Sequence, residues 1–105
     1  MRIRRDKLQF NEEAEIIAKV SDAFAHPLRV ELFKYIYKEN MQRRQPCTKD
    51  LVEKFTYSQS TISQHMSKLT ISGLIEVQKK NSFSYYYVNI GILGKYLDAV
   101  KKINQ

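Results

Sequence analysis

The sequence predicts a mainly α-helical domain with one β-hairpin, an α+β fold in the order α-α-α-α-β-β-α. Apolar residues recur at helical spacing in four segments before Gly73. Two β-prone runs follow, LIEVQKK and FSYYYVN, separated only by Asn81 and Ser82, a pair that suits a tight hairpin turn. Helical spacing returns after Gly91. These three observations define the fold class, and each element has its own local signals.

The first two helices are marked by the residues at their starts. Asn11 is placed to cap the first helix, which we expect to end near Ala25. Pro27 fits the first turn of a second helix that runs to about Glu39. His26, directly before that proline, is interpreted as an N-cap or a local hydrogen-bonding group and not as a ligand.

A polar connection, residues 40–46, leads to a short third helix. Arg43 and Arg44 in this connection contact either DNA phosphate or only water, and the sequence does not separate the two. Thr48 is placed to cap the third helix, KDLVEKF. The three residues 56–58 then form a tight turn into the fourth helix.

The fourth helix, Ser58–Ser72, combines a narrow apolar stripe with a polar, uncharged face. At about 100° per residue, Ile62, Met66 and Leu69 face a core. The opposite face is rich in Ser and Gln, although Glu, Lys and Arg are better helix formers for a solvated surface. Hydroxyl and amide groups can hydrogen-bond to base edges in the major groove of DNA. The alternative is a capped surface helix that merely happens to be rich in Ser.

Two helices joined by a tight turn, with a hairpin after them, predict a winged helix-turn-helix. The hairpin, or wing, would lay its basic tip along the DNA backbone beside the recognition helix. The expected DNA-contacting residues lie on the fourth helix and at the wing tip: Gln59, Ser60, Thr61, Ser63, Gln64, Lys68, Lys79, Lys80, Asn81 and Ser82. His65, at the edge of the same helix face, is a weaker candidate.

Three consecutive tyrosines, Tyr85 to Tyr87, have two interpretations. They could form a stacking platform for single-stranded bases. The alternation of side chains along a strand favours the other interpretation, in which they point in turn to the core and to the outer face of the sheet.

The segment after Gly91 has Leu93, Tyr96, Leu97 and Val100 on one side of a helix. A terminal amphipathic helix must bury such a stripe. A chain of 105 residues has little core of its own, so we expect the first and last helices to bury it together across a twofold axis. The sequence therefore predicts a homodimer.

The charge balance favours an anionic partner. Lys and Arg number 18 against 11 acidic residues, which gives a net charge of +7. Either nucleic acid or an acidic membrane surface would suit this charge. We expect no membrane partner and a cytoplasmic protein, since no apolar run is long enough to span a bilayer. Residues 1–10 form a basic arm outside the domain of residues 11–105; the arm is either solvated or inserted in a DNA groove.

Four motifs over roughly residues 21–89 carry a family resemblance. They are AHPLRVELFKYI, CTKDLVEKF, SQSTISQHMSKLTISGLIE and SYYYVN. Together they resemble the ArsR/SmtB family of winged-helix transcriptional repressors. The resemblance implies a homodimer that dimerises through its first and last helices, binds an imperfect palindrome in double-stranded DNA and represses transcription.

Many members of that family sense metals or metalloids, so the residues at the family's metal-ligand positions decide whether this chain could bind a metal in the same way. One family site uses Cys-x-Cys at the start of the third helix, where this chain has Cys47, Thr48 and Lys49, and an ammonium group there would repel a cation. Another site uses Asp, His and Glu along the last helix, where only Asp98 is present. Bound metals of this kind want three or four ligands. We predict no metal site at either location and no cofactor.

Cys47 has two interpretations. Because it lies near Lys49 and a helix start, its thiol could act as a redox switch. The alternative is a buried, inert thiol.

The leading functional hypothesis is a sequence-specific DNA-binding regulator that acts as a repressor. The alternative is a winged-helix protein-interaction module whose polar helix docks a partner protein. An enzyme is not expected, because the sequence has no phosphate-binding glycine loop and no paired His and carboxylate motif. No feature of the sequence identifies an effector.

Overall fold

The computed structural model describes residues 10–105. Of the predicted basic arm, residues 1–10, Phe10 belongs to these residues, whereas Arg2, Arg4, Arg5 and Lys7 lie outside them. The described chain follows the predicted order α-α-α-α-β-β-α. Its elements are α1 Glu12–Ala23, α2 Pro27–Met41, α3 Thr48–Phe55, α4 Gln59–Ile71, β1 Ile75–Lys80, β2 Phe83–Val88 and α5 Ile90–Lys101, with a final 3-10 turn at Lys102–Asn104.

Three predicted helix caps are confirmed. The side chain of Asn11 accepts a hydrogen bond from the backbone N–H of Ala14 at 2.8 Å. His26 accepts through Nδ1 from the N–H of Leu28 at 3.1 Å. Ser58 Oγ accepts from the N–H of the third residue of α4 at 3.2 Å. Each cap satisfies an N–H group that has no partner inside its helix, so these local signals were sufficient to place three helix starts.

The predicted cap of α3 is wrong by one residue. The N-cap is Cys47, whose backbone N–H donates to Asp50 Oδ2 at 2.9 Å. Thr48 is the first helical residue, and its hydroxyl lies 2.9 Å from the hydroxyl of Tyr86 on the wing. The Thr48 side chain is thus engaged in a tertiary contact that sequence spacing does not show.

The boundaries of the other helices differ from the predictions by a few residues. Helix α1 ends at Ala23 and not near Ala25, and α2 continues to Met41. Helix α5 begins at Ile90, because the side chain of Asn89 accepts from the N–H of Ile92 at 3.1 Å and caps the helix. Asn89, which the sequence placed at the end of the second strand, is therefore the N-cap of the last helix.

The hydrophobic core receives side chains from α1 to α4 and from the start of the wing. Its largest members are less than 2 % exposed, and burial of such a side chain stabilises a fold by about 1.5–3 kcal/mol. They are Val20, Leu32, Ile36, Leu51, Ile62, Met66, Leu69, Leu74 and Ile75.

The wing is a two-stranded antiparallel sheet with a register from Ile75 opposite Val88 to Lys80 opposite Phe83. Asn81 and Ser82 between the strands have φ values of 49° and 73°, as the predicted tight turn requires. The outer edge of β2 is covered: the Asn40 side chain accepts from the N–H of Val88 at 2.8 Å, and Pro46 O accepts from the N–H of Tyr86 at 3.0 Å. These contacts hold the wing against α2 and against the start of α3.

The consecutive tyrosines alternate across the sheet, as the favoured interpretation predicted. Tyr86 is buried, and it faces the same side as Ile75. Tyr85 and Tyr87 are half-buried on the other side with Phe83, whose ring centroid lies 6.4 Å from that of Tyr85. The middle tyrosine is therefore a core residue.

Candidate nucleic-acid interface

The two faces of α4 differ sharply in burial. Ile62, Met66 and Leu69 are at most 1 % exposed, which confirms the predicted apolar stripe. Ser63 and Gln64, on the outer face, are exposed. This helix is the recognition helix of the predicted helix-turn-helix, and the subunit leaves its polar face open to solvent.

The turn before α4 brings the two helices of the motif together. Thr56 adopts a left-handed conformation with φ 57°, and its N–H donates to Val52 O at 2.9 Å, which ends α3. Helix α4 begins three residues later at Gln59. A left-handed residue at this position reverses the chain within one short segment.

Nine of the ten predicted DNA-contacting residues are exposed. They are Gln59, Ser60, Ser63, Gln64, Lys68, Lys79, Lys80, Asn81 and Ser82. The tenth, Thr61, is half-buried, and its hydroxyl accepts a hydrogen bond from Ser58 Oγ at 3.0 Å. Thr61 thus helps to form the start of the helix.

The wing tip and the start of α4 line one surface cleft of about 410 Å³. Gln59 borders it from α4, and Ser82 and Phe83 border it from the wing. Lys49, on the first turn of α3, lies in the same cleft and adds a positive charge between the two. Lys49 is not among the residues predicted from the sequence to contact DNA; there it stands in place of a metal ligand and as a charge near the Cys47 thiol. It lies in the first helix of the helix-turn-helix, and this position was the available signal for a basic residue beside the wing.

The wing carries unpaired positive charge. Lys79 lies opposite Ser84 and Lys80 opposite Phe83, so the two ammonium groups extend from opposite faces of the hairpin. Within residues 10–105 neither lysine forms an ion pair with a carboxylate. Both charges are therefore free to approach an anion.

The arginines of the α2–α3 connection differ from each other. Arg44 donates to both carboxylate oxygens of Glu39, at 2.9 and 3.3 Å. This pairing raises the pKa of Arg44 and lowers the pKa of Glu39. Arg43 is exposed, with φ 63°. Of the two, Arg44 already has an anionic partner within the subunit.

His65 points away from the polar face. It is half-buried, with Nδ1 3.1 Å from Arg29 Nη1 and with its ring centroid 4.6 Å from that of His26. Burial, helped by His26 and Arg29, holds the pKa of His65 below its ordinary value of 6.5. The side chain thus belongs to the packing between α2 and α4, and this position does not favour His65, the weaker candidate, as a base contact.

Arg29 was not predicted from the sequence as part of this site. Its side chain contacts α4, although no periodicity connects residues 29 and 65. One electrostatic signal for this contact was available in the sequence. The C-terminal end of a helix favours a cation, the last turn of α1 has no basic residue of its own, and an arginine follows at the start of the next helix.

Cys47 is buried, with 8 % of its surface exposed, and pairs with Tyr85 in an isolated antiparallel β-bridge. Across the described chain no three His, Cys, Asp or Glu side chains come together as metal ligands. The absence of a metal site remains a prediction. No helix of residues 10–105 has the length and apolarity needed to cross a bilayer.

Within residues 10–105, five helices and a hairpin, with an exposed polar helix beside a basic wing, form the arrangement of a winged-helix DNA-binding protein. The model of the family described as bacterial regulatory protein, arsR family, matches residues 26–77. The chain belongs to this arsR family of transcriptional regulators. It is a DNA-binding regulator and not an enzyme.

Individual relatives agree with this membership. The chain is 32 % identical over 93 residues to the nodulation protein NolR of Rhizobium meliloti, a match that covers 89 % of this chain and 72 % of that protein. It is 34 % identical over 58 residues to the arsenical resistance operon repressor of Staphylococcus aureus, covering 55 % of this chain and 56 % of that one. The crystal structure of NolR from Sinorhizobium fredii matches with a TM-score of 0.64 and 31 % identity, over 88 % of this chain and 87 % of that one.

Proposed function

We propose that this regulator represses transcription as a homodimer that binds a palindromic operator, with α4 in the major groove and the wing along the adjacent backbone. The exposed polar face of α4 is the observation that carries the proposal. Folding buries one stripe of this helix and leaves the hydroxyl and amide side chains without a partner surface. We propose that the protein acts in the cytoplasm, since its target is DNA.

The side chains of α4 suit base recognition. Gln64 has the donor and acceptor of an amide, which can form a bidentate contact with adenine. Ser60 and Ser63 are short enough to let the helix backbone approach the groove, and their hydroxyls can donate or accept. Gln59 and Lys68 lie toward the two ends of the exposed helix, where the phosphate ridges border the groove.

The wing supplies contacts of a different kind. Lys79 and Lys80 are exposed and unpaired within the described chain, with Asn81 and Ser82 at the turn between the strands. Such charges add affinity for any duplex, because they neutralise phosphates and release counterions. Lys49 in the neighbouring cleft would extend this contact between the wing and α4.

The proposal of a homodimer rests on apolar surface that the subunit leaves exposed. In α5, Leu97 is 54 % exposed and Val100 37 %. Ile103, just beyond the helix, is 69 % exposed. Helix α1 packs beside α5 and carries its own shallow apolar cleft, bordered by Ala14 and Ala18. A second copy of the same surface would cover both helices.

The dimer determines the geometry of the operator. Two recognition helices related by a twofold axis contact half-sites about 34 Å apart, one turn of DNA, and a twofold protein matches a palindrome. The repressor role is supported by the Staphylococcus aureus relative, which is an arsenical resistance operon repressor. A dimer bound to an operator that overlaps a promoter would block access to that promoter.

The test is a selection of bound duplexes from a random pool with the full chain. We expect enrichment of a palindrome with half-sites about 10–10.5 base pairs apart, and two chains per duplex by analytical ultracentrifugation. Binding that ignores added zinc and arsenite would agree with the prediction that neither family metal site is present. Binding that ignores peroxide would favour the buried, inert interpretation of Cys47 over the redox switch. No enriched sequence, together with a shallow dependence of affinity on salt, would favour the protein-interaction module instead.

A further inference from the structure

One guanidinium group joins three helices at the back of the recognition helix. Arg29, in the first turn of α2, donates from Nε to Ala23 O at 2.7 Å and from Nη2 to Asp22 O at 3.4 Å, both at the end of α1. Its Nη1 lies 3.1 Å from His65 Nδ1, in the middle of α4. Carbonyls in the last turn of a helix lack partners further along it and carry partial negative charge, so a cation is favourable there.

The contact requires one protonation state of His65. A guanidinium group can only donate hydrogen bonds, so Nδ1 of His65 must accept and the ring must be neutral, with its proton on Nε2. His26 uses its own Nδ1 to accept from Leu28 N–H and brings its ring against His65. Arg29 and His26 are the charged and titratable groups of α2 that face His65, and α1 contributes the carbonyls bound to the same guanidinium.

We propose that Arg29 is a positioning residue that holds the recognition helix α4 at a set orientation to α1, and that a proton on His65 releases it. The inference rests on the proposed function, in which α4 contacts bases and α1 lies at the twofold contact. A tie between these two helices fixes where each recognition helix stands relative to the dimer axis. A protonated His65 presents a donor to a donor, so the hydrogen bond that ties α4 to Arg29 is lost.

The sign of the pH effect follows from the lowered pKa of His65. The folded state binds fewer protons than the unfolded state, so the contribution of this group to stability is present above pH 6.5 and is lost as the pH falls through the lowered pKa. Operator affinity should fall in the same window. Affinity for random duplex should not fall, because protonation adds positive charge. The ratio of the two affinities is therefore the informative quantity.

The first experiment measures this ratio at fixed ionic strength from pH 7.5 down to the lowest pH at which circular dichroism shows a folded protein. The wild-type ratio should fall by about tenfold, as expected when one charged hydrogen bond no longer orders the helix. In His65→Asn the side-chain oxygen can accept near the position of Nδ1 and does not titrate, so the ratio should stay nearly flat. A His65→Asn variant with the full wild-type pH dependence would overturn the role of His65.

A second variant tests Arg29 directly. Arg29→Lys keeps the charge but cannot donate to α1 and α4 at once, so the ratio should be about tenfold lower at pH 7.5 and should lose its pH dependence. Lys34→Arg, the reverse exchange at an exposed position of the same helix, is the control. Thermal melts followed by circular dichroism identify any loss of folding. A wild-type ratio and pH profile in Arg29→Lys would contradict the positioning role.

A measurement without DNA separates this inference from the proposed function. The ¹⁵N shifts of the imidazole groups in the free protein report which nitrogen carries the proton. We expect the Nε2–H form for His65 at pH 7.5, and a changed titration in Arg29→Lys. A Nδ1–H form of His65 would overturn the inference whatever the DNA experiments show. If His65 has the expected Nε2–H form but no operator is selected, that result would count against the proposed function alone.

Discussion

The outer faces of α4 and α5 are both left bare by the subunit, but their chemistry is opposite. Ser63 and Gln64 on α4 are polar and need no cover, because water satisfies them as well as a partner does. Leu97 on α5 is 54 % exposed, and apolar surface in water costs about 25 cal/mol per Å². The polar face thus suits a partner that comes and goes, as DNA does. The apolar face suits a permanent one, such as a second copy of the chain.

The strongest way to break this comparison is Leu97→Gln. The change keeps the length and helix preference of the side chain but removes apolar area from the proposed twofold contact. We expect dissociation to monomers at micromolar concentration by analytical ultracentrifugation. Operator affinity should fall by about 100-fold or more, because a monomer loses the second half-site.

Asp98→Asn, at the neighbouring exposed position, is the control for Leu97→Gln. It should leave the dimer intact. If Leu97→Gln stays dimeric at the same concentration, the apolar face of α5 is not the contact between copies. The proposal that this face has a permanent partner would then be contradicted.

On the other face, Gln64→Ala sharpens the comparison. The loss of a bidentate base contact costs about 1–3 kcal/mol of discrimination, so preference at one base position in each half-site should relax by about tenfold or more. Competition binding against a panel of singly changed operators measures this. The oligomeric state should be unchanged, since Gln64 lies on the polar face of α4 and not on the apolar surface of α5.

A smaller and more uniform effect is expected for Lys79→Ala on the wing. This change should weaken the operator and a random duplex alike, and should lower the slope of log affinity against log salt by about one per lysine that contacts a phosphate. Titrations at several salt concentrations give the slope. If Gln64→Ala and Lys79→Ala both cause equal losses on the two duplexes, α4 is not the base-recognising element.

The parts of this molecule that sequence reasoning predicted are those set by local periodicity. The stripe of Ile62, Met66 and Leu69 follows from helical spacing, and Ser58 follows from cap chemistry. The turn at Asn81 and Ser82 follows from the few residues that tolerate positive φ. In each case neighbours in sequence supply the interaction, so the pattern is visible before folding.

The parts that were missed join residues far apart in the chain. Arg29 and His65 are separated by 36 positions, and Asn40 covers the edge of β2 from 48 positions before Val88. Thr48 was expected to cap a helix but instead contacts Tyr86. Each of these polar groups had a plausible local partner, and only the packing of whole elements decides which partner is taken.

The smallest expected effect is the most direct test of why the polar face of α4 exists. Ser63 is exposed, and Ala is the better helix former, so Ser63→Ala should raise the free energy of unfolding by about 0.5 kcal/mol. Urea unfolding measures this, with Ser21→Ala near the end of α1 as a control at an exposed helical site. The same change should weaken operator binding, whereas the control should not. A variant that is both more stable and fully active would mean that Ser63 serves neither folding nor DNA, and that the polar face is narrower than proposed.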